Sequence, residues 1–160
     1  SGSDYRSLLA QLSPDSLKPG PILSVDGKRL GTHSGIANYT IGQRRGLGIS
    51  HERPLYVVGI DPVKNAILVG TSECVLADSL VAEQVNWISL KKPGGKMHVK
   101  ARIRYKHVES PATVTPLDDA RALVEFDRPQ RAITPGQAVV FYDGDVVIGG
   151  GAIAEVKQKA

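Results

Sequence analysis

Sulfur is nearly absent from this 160-residue chain, which has one cysteine and one methionine. A single cysteine excludes an internal disulfide framework. Four scattered histidines without His-x-x-x-His spacing leave none of the usual structural zinc patterns, so no metal site is expected. Aromatic residues make up only 5% of the chain, with Trp87 the lone tryptophan. No apolar run approaches the roughly 18–20 residues that cross a bilayer as a helix, and no charged start followed by an apolar stretch marks a signal peptide. These absences predict a cytosolic, metal-free protein without membrane association. Charge is not one-sided either: 20 Lys and Arg against 16 Asp and Glu leave a net charge of +4. That excess is too small to name a partner, so the placement of the positive charges matters more than their number.

Turn formers are plentiful, with 17 glycines and 10 prolines. Ser1-Gly2-Ser3 reads as an expression remnant. Tyr5, Leu8, Leu9 and Leu12 then recur at helical spacing until Pro14, which predicts a short helix that must dock on something. Beyond Pro19-Gly20-Pro21 the period becomes that of strands. Residues 22–25 and 28–32 form a predicted hairpin with a type I′ turn at Asp26-Gly27. Residues 55–60 and 66–70 form a second, in which Asn65 adopts a left-handed conformation. Residues 73–82 read as irregular with some helical character. Strands follow over residues 85–89, 97–106, 112–115, 122–126, 138–142 and 146–156, and Gly149-Gly150-Gly151 points to a bulge or sharp corner in the last. The expected architecture is mainly β: a linker helix and tag remnant over residues 1–15, a small β-rich domain over 16–82, and an antiparallel β-barrel over 83–160.

Residues 91–107 contain seven Lys or Arg and no Asp or Glu. Within that stretch Met97, Val99, Ala101, Ile103 and Tyr105 alternate with His98, Lys100, Arg102, Arg104 and Lys106, so a strand would bury one face and line the other with cations. Two readings fit. Either acids such as Glu125 or Asp127 neutralise the row, or lysines guard a solvated edge strand; alternatively, the row tracks a phosphate backbone. A barrel face has no helix for a DNA major groove, so RNA is the polymer expected and DNA is not. A second dense segment spans residues 39–48, where Gly42, Gly46 and Gly48 bracket Gln43, Arg44 and Arg45. It fits neither a Walker loop nor a dinucleotide fingerprint, leaving a plain turn or an anion contact. No nucleophile emerges: Cys74 sits among apolar neighbours as an expected core residue. Asp118-Asp119 and Asp143/Asp145 fall in turn contexts.

The run Gly31-Thr32-His33-Ser34-Gly35 continuing into Tyr39-Thr40-Ile41-Gly42-Gln43-Arg44-Arg45-Gly46-Leu47-Gly48 resembles the central region of tRNA-specific 2-thiouridylases. So do Pro54-Leu55-Tyr56-Val57, Gly59-Ile60-Asp61 and Val85-Asn86-Trp87. Pro129-Gln130-Arg131-Ala132-Ile133-Thr134-Pro135-Gly136-Gln137, Val140-Phe141-Tyr142 and Gly149-Gly150-Gly151 resemble that family's C-terminal barrel. Ser50-His51-Glu52-Arg53 departs from the glycines found in many relatives. The resemblance implies ATP-dependent 2-thiolation of the wobble uridine (U34) of tRNA, with ATP and Mg²⁺ as cofactors of the full-length enzyme. It further implies the tRNA anticodon arm as partner, a sulfur-donor relay protein or cysteine desulfurase acting through another domain, and a bacterial cytoplasmic setting. The family's nucleotide loop and two sulfur-handling cysteines have no match here, so no catalytic residue is expected in this chain, which is expected to be inactive alone.

By position, the resemblance implies RNA contacts at Arg104-Tyr105 and at Gln137, with Lys100, Arg102, Lys106, Gln43, Arg44 and Arg45 as further candidates. Strict alternation puts Tyr105 on the opposite face from Arg104, so a bulge re-aims it or its hydroxyl reaches the rim. Gln137 has a second reading as part of a type II turn built on Gly136. Two rivals remain: a free-standing RNA-binding barrel of translation-factor type, and a module that docks an acidic protein.

Overall fold

The computed structural model describes residues 14–88, 93–104 and 108–157; the helix expected near residues 5–12 lies outside them. The chain divides into two compact units, Ser1–Val75 and Leu76–Ala160.

In the first unit, β1 (Gly20–Ser24), β2 (Arg29–His33), β3 (Tyr56–Asp61) and β4 (Ala66–Gly70) form one sheet in the order β2-β1-β4-β3. Both expected hairpins are present. The first turn, however, is not type I′, because Gly27 has a positive φ (90°) and Asp26 does not. Gly27 N–H donates to Ser24 O (2.9 Å) and Ser24 N–H to Lys28 O (2.8 Å). This is the three-residue loop that ends on a left-handed glycine. The second turn follows expectation: Asn65 has φ 51°, and the Asp61 carboxylate accepts from the Val63 and Lys64 amides at 3.0 and 3.1 Å. The hairpins join through parallel pairing of Ile22 with Ile67 and Leu23 with Leu68. Ile22, Ile36, Val57, Ile67 and Val69 form the core.

His33 is the polar centre of this unit and is 1% exposed. Its Nε2 lies 2.7 Å from Asn65 O, while Nδ1 accepts the Gly35 amide at 3.0 Å. One ring thereby ties the end of β2 to the β3–β4 turn. Cys74, expected in the core, is only half-buried on the 3₁₀ turn Ser72–Val75, with Sγ 3.7 Å from Thr71 Oγ1.

The second unit is a closed barrel of β5 (Leu76–Trp87), β6 (Met97–Arg102), β7 (Ser110–Pro116), β8 (Ala122–Arg131), β9 (Ala138–Asp143) and β10 (Val146–Lys157), in the ring order β10-β5-β8-β7-β6-β9. Residues 76–82 are strand, not irregular, and the division between units therefore falls at 75/76 rather than near residue 83. Register shifts at Ala77/Ser79 and a left-handed Gln84 (φ 52°) interrupt the period of two in β5. The triple glycine behaves as expected. β10 slips register against both neighbours, and a Cβ on Gly151 would lie 2.5 Å from Glu83 O. Phe141, Leu80, Val114, Val124 and Ile153 fill the interior, with Trp87 packed on Phe141 at 5.8 Å between ring centroids.

Candidate nucleic-acid interface

The barrel carries the cationic row on β6 and its extension. Val99, Ala101 and Ile103 point inward and are buried; His98 and Lys100 are exposed, and Arg102 and Arg104 half-exposed. β6 is flanked by β7 on one side and β9 on the other, so it is not an edge strand. Guarding an open edge is therefore not what its lysine and arginines do.

The row is not uniform along its length. At the Lys96–His98 end, His98 Nδ1 lies 3.3 Å from Thr113 Oγ1, and Glu125 and Asp127 share a shallow concavity with them. Further along, Lys100 stands across from Pro111 on β7 and Tyr142 on β9, and Arg102 across from Val140. Glu109 is next in register opposite Arg102 but forms no ion pair with it. An ion pair joins Arg121 and Asp118 in the β7–β8 turn, at 2.7 Å. Lys100 thus projects beside Pro111 and Tyr142, whereas Arg102 has the Glu109 carboxylate as its cross-strand neighbour. The Arg102 guanidinium carbon lies over the Tyr142 ring, 5.3 Å from its centroid, a cation–π contact. Tyr142 is a member of this surface that the sequence reading passed over. Outward alternation from Ala138 through Val140 was the signal for it.

Arg104 is placed differently. Its Nη2 donates to Arg131 O at 2.9 Å and to Ala132 O at 2.7 Å. Burial, and then the neighbouring Arg131 charge, lower its pKa from the ordinary arginine value, which still leaves it a cation at neutral pH. A guanidinium has five N–H groups, so the Nε–H and the two Nη1–H groups are not used by these two bonds. Ala132 has a left-handed φ of 54°, which turns both carbonyls toward Arg104, and Thr134 Oγ1 donates to Ala132 O at 3.0 Å. The chain then makes the turn expected at Gly136 (φ 88°), closed by the Gln137 amide on Thr134 O at 3.2 Å. Because Arg102 pairs with Val140 in an antiparallel register, Arg104 and Gln137 fall at the same end of the barrel. Tyr105 and Lys106 lie outside the described residues.

The glycine-rich loop belongs to the first unit. Gly42, Gly46 and Gly48 have φ of 89°, 79° and 65°. Gly42 N–H donates to Val57 O (2.7 Å) and Val57 N–H to Gln43 O (2.9 Å), which docks the loop on β3. The Gln43 side chain works inside its own loop: Oε1 accepts the Thr40 amide at 3.0 Å and Nε2 donates to Arg45 O at 2.9 Å. With Tyr39 and Leu47 buried beneath, Arg44 and Arg45 are exposed on a braced loop. Arg44 lines a surface hollow with His51, Glu52 and Arg53.

Comparison with known proteins agrees with this division. Residues 6–71 match the tRNA methyl transferase PRC-barrel domain and residues 77–153 the aminomethyltransferase beta-barrel domain. The chain is 52% identical over 153 residues to the tRNA-specific 2-thiouridylase MnmA of Halothermothrix orenii, covering 96% of this chain and 43% of that protein. It is 50% identical over 153 residues to the protein of that name from Roseiflexus castenholzii, covering 41% of its length. The chain thus spans about two-fifths of the length of the curated relatives it matches.

Proposed function

Because this chain belongs to the tRNA-specific 2-thiouridylase family, matching the C-terminal part of its members, we propose that it is the tRNA-binding and positioning portion of an enzyme that thiolates the wobble uridine U34. One observation carries this reading. Lys100 and Arg102 stand outward on an interior strand, beside Tyr142, Pro111 and Glu109, and neither forms an ion pair with a described carboxylate. Outward side chains two residues apart on a strand are about 6.6–6.8 Å apart, so the pair presents two separated positive charges to a polyanion. Tyr142 adds a half-exposed aromatic face for an unstacked base. The remaining Nε–H and Nη1–H groups of Arg104, together with Gln137, extend the surface to the barrel end, and Arg44 and Arg45 supply a second patch on the first unit.

The work of this surface is positional. Holding the anticodon arm in one orientation turns a bimolecular encounter into a reaction between prepositioned groups. ATP, Mg²⁺ and the sulfur donor belong to the full-length enzyme. Among the described residues no group of three His, Cys, Asp or Glu is placed to hold a metal ion, and no step through nucleotide or metal is assigned to this chain.

The test is a filter-binding titration of an unmodified tRNA transcript across salt concentrations. Each lost phosphate contact lowers the log–log salt slope by about 0.7–0.9. Lys100→Ala with Arg102→Ala therefore lowers it by about 1.4–1.8. A double variant with the affinity and slope of the parent overturns the proposal.

A further inference from the structure

The two hydrogen bonds made by Arg104 have a consequence beyond charge. We propose that Arg104 is a positioning residue for the β8–β9 connection: its Nη2 holds the chain in the left-handed bend at Ala132 and so sets where the Thr134–Gln137 turn stands on the barrel rim.

The geometry supports this at each step. β8 ends at Arg131, and the next residue takes a φ of 54° that an alanine rarely adopts. Something must stabilise the bend, and Ala132 O receives two donors, Arg104 Nη2 at 2.7 Å and Thr134 Oγ1 at 3.0 Å. Arg131 O receives the second Nη2 bond, so one planar group fixes two consecutive peptide units. The turn that follows is tied at its far side by backbone: Gly136 N–H to Ile153 O and Ile153 N–H to Gln137 O, both 2.8 Å. A lysine at 104 keeps the positive charge, but its ammonium sits on a shorter stem and lacks the planar NH₂ group whose two hydrogens here meet both carbonyls. Arg104 therefore acts in two directions, through Nη2 on its own chain and through its Nε–H and Nη1–H groups on an outside ligand. Its bearing on RNA rests on the function proposed above; the bracing does not.

The experiment compares Arg104→Lys, Thr134→Val and Lys100→Ala in the 160-residue chain, using amide hydrogen exchange at Gly136, Gln137 and Ile153 and the tRNA salt titration. Arg104→Lys is expected to reduce protection at those three amides at least tenfold. It is also expected to weaken tRNA binding at every salt concentration while leaving the slope unchanged. Thr134→Val, which changes no charge, is expected to move the same amides in the same direction to a smaller extent. It serves as the decisive variant should Arg104→Lys fail to fold. Lys100→Ala is expected to lower the slope and leave the amides untouched. Unchanged protection in Arg104→Lys, or in Thr134→Val where the former does not fold, overturns the bracing. If the parent chain shows no salt-dependent tRNA binding, the RNA reading fails while the exchange data still decide the brace.

Discussion

The triple glycine of β10 allows a test of why the barrel closes. A Cβ on Gly151 would meet Glu83 O at 2.5 Å and Val85 Cγ2 at 3.1 Å, so the obstacle is the backbone of β5 at its bulge rather than a movable side-chain tip. Overpacking of this kind costs about 1–3 kcal/mol. The upper end applies, because the β5–β10 ladder must open to relieve the clash and each hydrogen bond lost adds about 0.5–1.5 kcal/mol. Gly151→Ala should therefore destabilise the barrel by about 3 kcal/mol, or about 12–24 °C in Tm at the 4–8 °C per kcal/mol of a domain this size. Two controls separate the causes. Gly144 has open space around its missing Cβ but a φ of 58°, so Gly144→Ala should cost about 1–2 kcal/mol. Gly94 has open space and no positive φ, so Gly94→Ala should stay within about 0.5 kcal/mol of the parent. Trp87, the lone tryptophan, is a half-buried barrel residue packed on Phe141, so its fluorescence reports on this unit. A Gly151→Ala melt indistinguishable from that of Gly94→Ala would refute the reasoning.

Three further outcomes can be measured. His33→Leu removes the contact with Asn65 O and leaves the buried Gly35 amide without its acceptor; a loss of about 2–4 kcal/mol should appear as faster exchange at Gly35 with the Trp87 signal unchanged. Gln43→Ala removes both braces of the arginine loop, so trypsin should cut after Arg44 and Arg45 several times faster than in the parent. The Asp118 carboxylate accepts from the Ala120 and Arg121 amides and from Arg121 Nε, and these bonds hold its pKa below the usual aspartate range. A depressed carboxylate contributes stability that is complete above its unfolded pKa and disappears as pH falls through the folded value. Asp118→Asn should accordingly flatten the decline of Tm below about pH 4 while lowering Tm at neutral pH.

The sequence was most legible where the physics is local. Alternation from Met97 to Arg104 is set by strand geometry alone, and the side chains face as expected. Asn65 and Gly136 adopt the positive φ that their turns demanded. Only the end of β5 was read as a strand; residues 76–84 escaped notice because the bulges there destroy the alternation that would have revealed them. Parallel pairing of β1 with β4 left no trace, since it joins residues far apart in the chain. In the candidate surface, Lys100 and Arg102 were legible from strand period. The division of Arg104 between two carbonyls and its remaining N–H groups was not, because it depends on a left-handed alanine at a distant position. Gln43 shows the same limit: its residue type suited a ligand contact, yet its amide faces its own loop.

The parallel seam in the small sheet also governs how that sheet is made. Ile22 and Ile67 are 45 positions apart (67 − 22), and between them lie the whole second strand, the arginine loop and most of the second hairpin. Each hairpin can zip up quickly by itself, but neither acquires a covered face until the long excursion between them closes. Distant pairing of this kind slows folding. The small unit should therefore mature later than its hairpins, and a protease nick between residues 34 and 55 should leave two ribbons unable to find each other efficiently.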